Sequence, residues 1–99
     1  MKAKPPQLTR QTMLVLSILS RHREGLAGSL IATMSELASG TLYPILTRLE
    51  VAGWIKSQLE QSGSRRKVYS LTALGARGAR EEAAKWQGMV AVLVTTMFH

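Results

Sequence analysis

Residues 39–55, SGTLYPILTRLEVAGWI, carry the strongest structural signal in the chain. Pro44 has no backbone N–H, so it is tolerated only near a helix start, where that N–H would be unpaired. A helix is therefore expected to begin near Ser39–Thr41, where a Ser or Thr hydroxyl is available as a cap, and to end at Gly53. The spacing i, i+3, i+4, i+7 of one buried helix face is given by Leu42, Ile45, Leu46 and Leu49.

The segments on either side of this helix predict the rest of the fold. The apolar residues of segment 8–23 cover more than one face of a helix, as expected for a helix that is buried on two sides. Residues 30–37 predict a short helix with Ile31, Met34 and Leu37 facing inward. Residues 54–60 and 67–71 have strand propensity and flank a turn-forming stretch. Thr72 is a candidate cap for a final helix over residues 73–98.

This order of elements predicts a mainly α fold with a small β-hairpin, a winged helix-turn-helix followed by a C-terminal helix. We assign residues 1–72 to the helix-turn-helix domain, with a basic arm at residues 1–7. Residues 73–99 are assigned to a dimerisation helix.

Charge indicates a polyanionic partner. The chain contains thirteen Lys and Arg residues but only six Glu and no Asp, which gives a net charge of +7 and a pI near 10.6. Nucleic acid is the most frequent partner of a small domain with such a surplus. An anionic membrane surface, an acidic protein and a merely solubilising surface are the alternatives.

In a helix-turn-helix, the second helix enters the major groove with its N-terminus first. Helix N–H groups and hydroxyls at that end bind phosphate, and Gly40 allows close backbone approach. Tyr43 can offer its ring to a thymine methyl, and packing on the neighbouring helix is its alternative role. The candidate DNA contacts of this helix are Ser39, Gly40, Thr41, Tyr43, Pro44, Thr47 and Arg48.

The hairpin tip carries successive cations. Such a wing contacts the sugar-phosphate backbone or inserts an Arg into the minor groove, and a solvated charge run is the alternative. Lys56 is a weaker phosphate candidate, and Lys2, Lys4 and Arg10 are candidates for an N-terminal arm. The predicted backbone contacts of the wing are Ser64, Arg65, Arg66 and Lys67.

The final segment carries a broad apolar stripe at i, i+3, i+4, i+7, i+8 and i+11. The preceding domain is too short to cover it, and an uncovered stripe of this size marks an interface. We therefore predict a homodimer. A ligand pocket at Trp86 is the alternative, although the sequence does not indicate a small-molecule inducer. The stripe comprises Trp86, Met89, Val90, Leu93, Val94 and Met97.

Several classes of function are disfavoured by the sequence. The chain has no Cys, which excludes disulfides and thiolate metal sites. His22 and His99 lie at a helix end and the chain end, and no catalytic motif or metal-ligand spacing is present. The longest apolar stretch, residues 89–94, cannot span a bilayer. We expect no metal, no cofactor, no enzymatic activity and no membrane partner, in a cytoplasmic protein without a signal peptide.

Three blocks resemble the PadR family of transcriptional regulators. The recognition-helix signature of that family is similar to residues 40–46, 48–50 and 53–55. Its wing and final-helix start resemble residues 66–72 with Gly75. The second-helix motif of the family corresponds to Leu26, Gly28, Ile31 and Ala32. The resemblance covers residues 8–86, but Ser29 replaces the usual tyrosine and Ala38-Ser39 the usual Ser-Pro.

The resemblance implies a homodimer held mainly by the C-terminal helix, often acting as a repressor of nearby genes. The short C-terminus resembles the subtype with one terminal helix. Together with the basic wing, this predicts a regulator that binds double-stranded DNA sequence-specifically. The alternative is a winged-helix module for protein–protein interaction without specific DNA binding. A third, weaker alternative is attachment to an anionic membrane through the C-terminal helix.

Overall fold

The order of elements agrees with the fold predicted from the sequence. The computed structural model describes residues 6–60 and 66–97. The described ranges contain α1 (Arg10–Arg21), β1 (Leu26–Ala27), α2 (Gly28–Ser35), α3 (Ser39–Val51), β2 (Ile55–Leu59), β3 (Lys67–Leu71) and α4 (Ala73–Met97). The strands form an antiparallel sheet in the order β1-β3-β2. A mainly α winged helix-turn-helix with a long C-terminal helix is therefore confirmed.

Helix α3 begins inside the predicted window, but without the predicted cap. It starts at Ser39, and the residue before it is Ala38, whose side chain makes no capping hydrogen bond. The prediction of a Ser or Thr cap is wrong because both hydroxyls lie within the helix. Pro44 lies in the second turn and supplies no N–H to the carbonyl of Gly40. The helix continues past it because all four residues of its predicted apolar face are buried.

The end of α3 has the geometry predicted for its glycine. Gly53 has φ of 79°, a left-handed conformation that glycine adopts without a Cβ penalty. Its N–H donates to the carbonyl of Glu50 at 3.0 Å, and the Trp54 N–H donates to that of Leu49 at 2.9 Å. This pair of bonds is the Schellman pattern of helix termination, and it directs the chain into the wing.

The core lies where the first three helices meet the sheet. It includes the fully buried Val15, Leu16, Leu19 and Ile31 together with the apolar face of α3. Leu37 packs partly against the core as predicted, but Met34 is 45% exposed. The prediction for Met34 is wrong because the buried face of α2 is formed by Gly28, Ile31 and Ser35, and Met34 points about 90° away from the centre of that face.

Strand β1 was not predicted from the sequence. It pairs with β3 in the register Leu26↔Tyr69 and Ala27↔Val68, so the wing has three strands where the sequence indicated a two-stranded hairpin. Two residues between glycines are too few to show an alternating pattern. Because β1 leads directly into α2, this pairing places the start of α2 beside the wing.

Helix α4 begins with the predicted Thr72 cap, whose Oγ1 accepts from the Gly75 N–H at 3.0 Å. Of its residues, only Gly75, Ala76 and Ala79 are buried. A helix of this length spans about 37 Å, so most of α4 projects from the domain and the principal extents are 57 × 35 × 24 Å. Within the part of the chain that the structure describes, no helix is both long and apolar enough to cross a membrane.

Candidate nucleic-acid interface

The outer face of α3 presents most of the predicted DNA contacts to solvent. Thr41 is half-buried, and the other six candidates of this helix are exposed. A Cβ placed on Gly40 would meet nothing within 4 Å, so this backbone is open to close approach. The Thr47 hydroxyl donates to the Tyr43 carbonyl at 3.0 Å, which fixes its rotamer and leaves its oxygen lone pairs facing solvent. The six exposed candidates are Ser39, Gly40, Tyr43, Pro44, Thr47 and Arg48.

Tyr43 is partly exposed and partly packed against α2. It is 42% exposed, so part of its ring is available for contact. A Cβ on Gly28 would lie 2.8 Å from the Tyr43 hydroxyl and 3.2 Å from ring atom Cε1. The tyrosine therefore also packs on the neighbouring helix, because Gly28 leaves room for it at the start of α2.

The two helices of the helix-turn-helix both begin without a side-chain cap. The residues before α2 and α3 are Ala27 and Ala38, and neither side chain makes a capping hydrogen bond. By contrast, the hydroxyls of Thr9 and Thr72 cap α1 and α4. The first N–H groups of a helix carry partial positive charge and bind anions when they are free. The two helices that begin without a side-chain cap are therefore the two that are expected to contact DNA.

The cations of the wing differ in their ion pairs and in the face of the sheet on which they lie. Arg66 crosses the hairpin to Glu60, with Nη2 and Nε both 3.0 Å from Oε2, whereas exposed Lys67 has no ion pair within the described ranges. Lys56 is exposed on β2, opposite Ser70, and successive side chains of a strand alternate between faces. Lys56 therefore lies on the other face of the sheet from Lys67. Ser64, Arg65, Lys2 and Lys4 lie outside the described residues.

One cleft joins these elements. It has a volume of about 360 Å³ and lies between the start of α2, α3 and the base of the wing. We call it the α2–wing cleft. Of its seven lining residues, Tyr43, Arg66 and Lys67 were predicted from the sequence as DNA contacts, and the other four were not. It is lined by Ala27, Gly28, Ser29, Tyr43, Arg66, Lys67 and Tyr69.

Tyr69 is the most buried polar side chain of the cleft, at 6% exposed. Burial raises its pKa above the ordinary 10.0, and the neighbouring Glu50 and Tyr43 raise it further. The hydroxyl therefore stays protonated at neutral pH and can act as a donor. The sequence does contain a signal for Tyr69. It lies two residues after Lys67 on β3, and alternate residues of a strand share a face.

The predicted dimer stripe is uncovered in this chain. Its five aliphatic members are between 48% and 74% exposed. Trp86 is half-buried and donates from Nε1 to Glu82 Oε1 at 3.2 Å. Because α4 has 3.6 residues per turn, the stripe lies on the same side of α4 as Gly75, Ala76 and Ala79, which are buried against the domain.

The described part of the chain contains no cluster of potential metal ligands. No group of three potential His, Cys, Asp or Glu ligands occurs there. His22 is the C-cap of α1, and its Nδ1 lies 3.5 Å from Glu24 Oε1. The helix-end position predicted for His22 is therefore confirmed.

Comparison with known proteins identifies the family. The sequence profile described as the Transcriptional regulator PadR-like family matches residues 8–81, whereas no curated protein matches the chain. A PadR family transcription regulator from hypervirulent Clostridium difficile R20291 is 29% identical, with a TM-score of 0.80, over 90% of this chain and 99% of that one.

Two further solved structures are similar. A point mutant of S. aureus MepR, bound to an oligodeoxyribonucleotide, is 25% identical, with a TM-score of 0.75, over 89% of this chain and 64% of that one. The PcaV transcriptional regulator from Streptomyces coelicolor is 22% identical, with a TM-score of 0.84, over 91% of this chain and 65% of that one, and this shows likeness of fold alone. The chain thus spans slightly less than two thirds of both proteins. It belongs to the PadR-like family of DNA-binding transcriptional regulators.

Proposed function

We propose that the chain is a repressor that binds double-stranded DNA sequence-specifically as a homodimer. The observation that carries this proposal is the common location of three features. The uncapped start of α2, the exposed part of Tyr43 on α3 and the exposed cation Lys67 border one cleft. In the arrangement general to winged helices, α3 then enters the major groove and the wing follows the sugar-phosphate backbone.

The proposed contacts divide by chemistry. Arg65, Arg66, Lys67 and the weaker candidate Lys56 supply charge, which attracts every duplex alike. Uncharged Tyr43 and Thr47 add little to that attraction and are proposed to read base edges or fix the register of α3. Thr41 and Arg48 are also proposed to face the groove, and the start of α3 at Ser39 and Gly40 is proposed to bind phosphate. The MepR mutant, a structural neighbour, is bound to an oligodeoxyribonucleotide, which supports the same use of this fold here.

The homodimer is proposed from the surface of α4. We divide the chain into a DNA-binding domain at residues 1–72 and a dimerisation helix at residues 73–99. The side of α4 that packs on the domain continues as an apolar stripe past the end of the domain. A second copy supplies the same stripe, so a twofold interface buries both at once. A dimer that covers two half-sites blocks other proteins from the same DNA, which is the physical basis of repression.

A binding experiment on the full chain tests the proposal. A mobility-shift titration compares DNA from upstream of the protein's own gene with a random duplex of equal length at a fixed salt concentration. We expect an affinity for the specific site at least about 10³-fold above that for the random duplex. Equal affinity for both duplexes would refute sequence-specific recognition. A folded dimer that binds neither duplex would instead indicate a protein–protein interaction module.

A further inference from the structure

We propose that the α2–wing cleft binds one phosphate group of the DNA backbone and that the Tyr69 hydroxyl is a donor to it. The inference rests on the proposed DNA binding and assigns a role to Tyr69, which was not among the DNA contacts predicted from the sequence. The donors come from three elements that are distant in sequence, namely the start of α2, Tyr43 on α3 and the first residues of β3.

The start of α2 supplies backbone donors. Gly28 is its first residue, and Ala27 before it provides no side-chain cap. The N–H groups of the first turn have no partner within a helix, and they lie at the positive end of its dipole. Exposed Ser29 adds a hydroxyl at the mouth of the cleft. Such an end is suited to a phosphate oxygen.

Tyr69 provides an independent observation. Its side chain is more than nine-tenths buried and lines the cleft, and its hydroxyl has no hydrogen-bond partner in the part of the chain that the structure describes. No fully buried side-chain N or O atom there lacks a partner, so the hydroxyl is open to the cleft and free to donate to a ligand. A phosphate oxygen in the cleft would complete the hydrogen bonding of this hydroxyl.

The charges around the cleft favour an anion. Lys67 is free of ion pairs within residues 6–60 and 66–97, while Arg66 is shared with Glu60. Glu50 is the acidic group that acts on Tyr69, and its carboxylate already accepts from the Ser57 hydroxyl at 2.8 Å. Lys67 and the positive end of α2 together oppose the repulsion from Glu50.

The position of the cleft selects a backbone phosphate over a free anion. The cleft lies between α3 and the wing, and a DNA strand that contacts both elements must pass over it. Its volume of about 360 Å³ exceeds that of a single phosphate and accommodates the adjoining sugars. We therefore expect the contact to contribute equally to specific and random duplexes, because phosphates carry no sequence information.

Two variants test the inference. Ser29→Asp places a carboxylate in the cleft and also favours helix α2, since acidic groups stabilise a first turn. Gln11→Asp is the matched control, because Gln11 is the exposed second residue of α1. Tyr69→Phe removes one hydroxyl and retains the ring in the core. Ser70→Ala is its control, because Ser70 is the next residue of β3 and its side chain lies on the other face of the sheet.

Affinity is measured for the specific and the random duplex, and the melting temperature is measured without DNA. We expect Ser29→Asp and Tyr69→Phe each to weaken both duplexes by roughly tenfold, as for loss of a hydrogen bond to a charged group. The melting temperature should stay within a few degrees of wild type, and both controls should bind within about twofold of wild type. If both variants bind DNA as their controls do, the inference is wrong while the proposed function stands.

Two other outcomes are informative. A wild-type chain that binds no duplex contradicts the proposed function itself. Inorganic phosphate is compared with chloride at equal ionic strength, by melting temperature without DNA. If phosphate stabilises the wild type but not Ser29→Asp, while both bind DNA equally, the cleft binds a free anion and the assignment to the DNA backbone is overturned.

Discussion

Replacing Leu93 by alanine tests whether the apolar stripe of α4 is the dimer interface. Leu93 lies near the middle of the stripe and is 59% exposed in the single chain. Alanine has the highest helix propensity, so Leu93→Ala leaves α4 helical. A change in self-association then reports the lost leucine side chain and not an unfolded helix.

The magnitude follows from the exposure of Leu93. A fully buried leucine contributes about 1.5–3 kcal/mol relative to an exposed one. With 59% of Leu93 exposed in the single chain, roughly 1–2 kcal/mol remains to be gained when a partner covers it. A twofold interface contains the substitution twice. The dimer should therefore weaken by roughly 2–4 kcal/mol, which raises the dissociation constant by roughly 30- to 1,000-fold.

Sedimentation velocity over nanomolar to micromolar concentrations measures this constant. Val92→Ala is the matched control, because Val92 is 65% exposed on α4 but points about 130° away from the centre of the stripe. We expect Val92→Ala to dimerise as the wild type does, and removal of the residues after Gly88 to abolish dimerisation. A monomeric wild type at micromolar concentration would refute the reasoning, as would equal constants for Leu93→Ala and Val92→Ala.

Three further predictions follow from the contacts of the domain. Gly75→Ala should lower the free energy of unfolding by about 1–3 kcal/mol in a denaturant titration, because its Cβ would collide with the Trp54 carbonyl. Gly88→Ala is the control and should not lower the free energy of unfolding, because nothing lies within 4 Å of its Cβ. Changing residues 65–67 together to Ala should weaken binding to every duplex and flatten the slope of log K against log salt by up to about 0.9 per lost phosphate contact. An unchanged slope would show that the wing does not contact phosphate. Tyr43→Ala should cost about 1–3 kcal/mol of specific affinity, roughly tenfold to a hundredfold, with binding to a random duplex retained. A lower melting temperature with an unaltered specificity ratio would mean that Tyr43 serves mainly to pack on α2.

The sequence was sufficient for the elements whose signals are local. Pro44 predicted where α3 begins, and Gly53 predicted where it ends. Thr72 predicted the start of α4, because a capping hydroxyl acts within three residues of itself. The cap of α3 was mispredicted because Ser39 and Thr41 offer hydroxyls, whereas the backbone enters the helix at Ala38. That choice depends on how α3 packs against the core, which local propensity does not record.

The candidate site was predicted only where its residues are contiguous in sequence. The α3 face and the basic wing each form one run, so composition and spacing indicated them. Gly28, Ser29 and Tyr69 were missed because they meet only through the pairing of β1 with β3. A two-residue strand leaves no periodic signal, and the cleft that it creates is therefore visible only in the folded chain.

Trp54 connects the part of the molecule proposed to bind DNA to the part proposed to form the dimer. Its N–H completes the end of α3, and its carbonyl accepts from Thr72 at the start of α4. A Cβ on Gly78 would collide with its ring, so α4 packs directly on this side chain. Both helices therefore meet at one buried residue without a flexible linker. In the proposed dimer, this fixes the separation of the two α3 helices, and we expect half-sites spaced by about 34–36 Å, one turn of DNA, or a multiple of it.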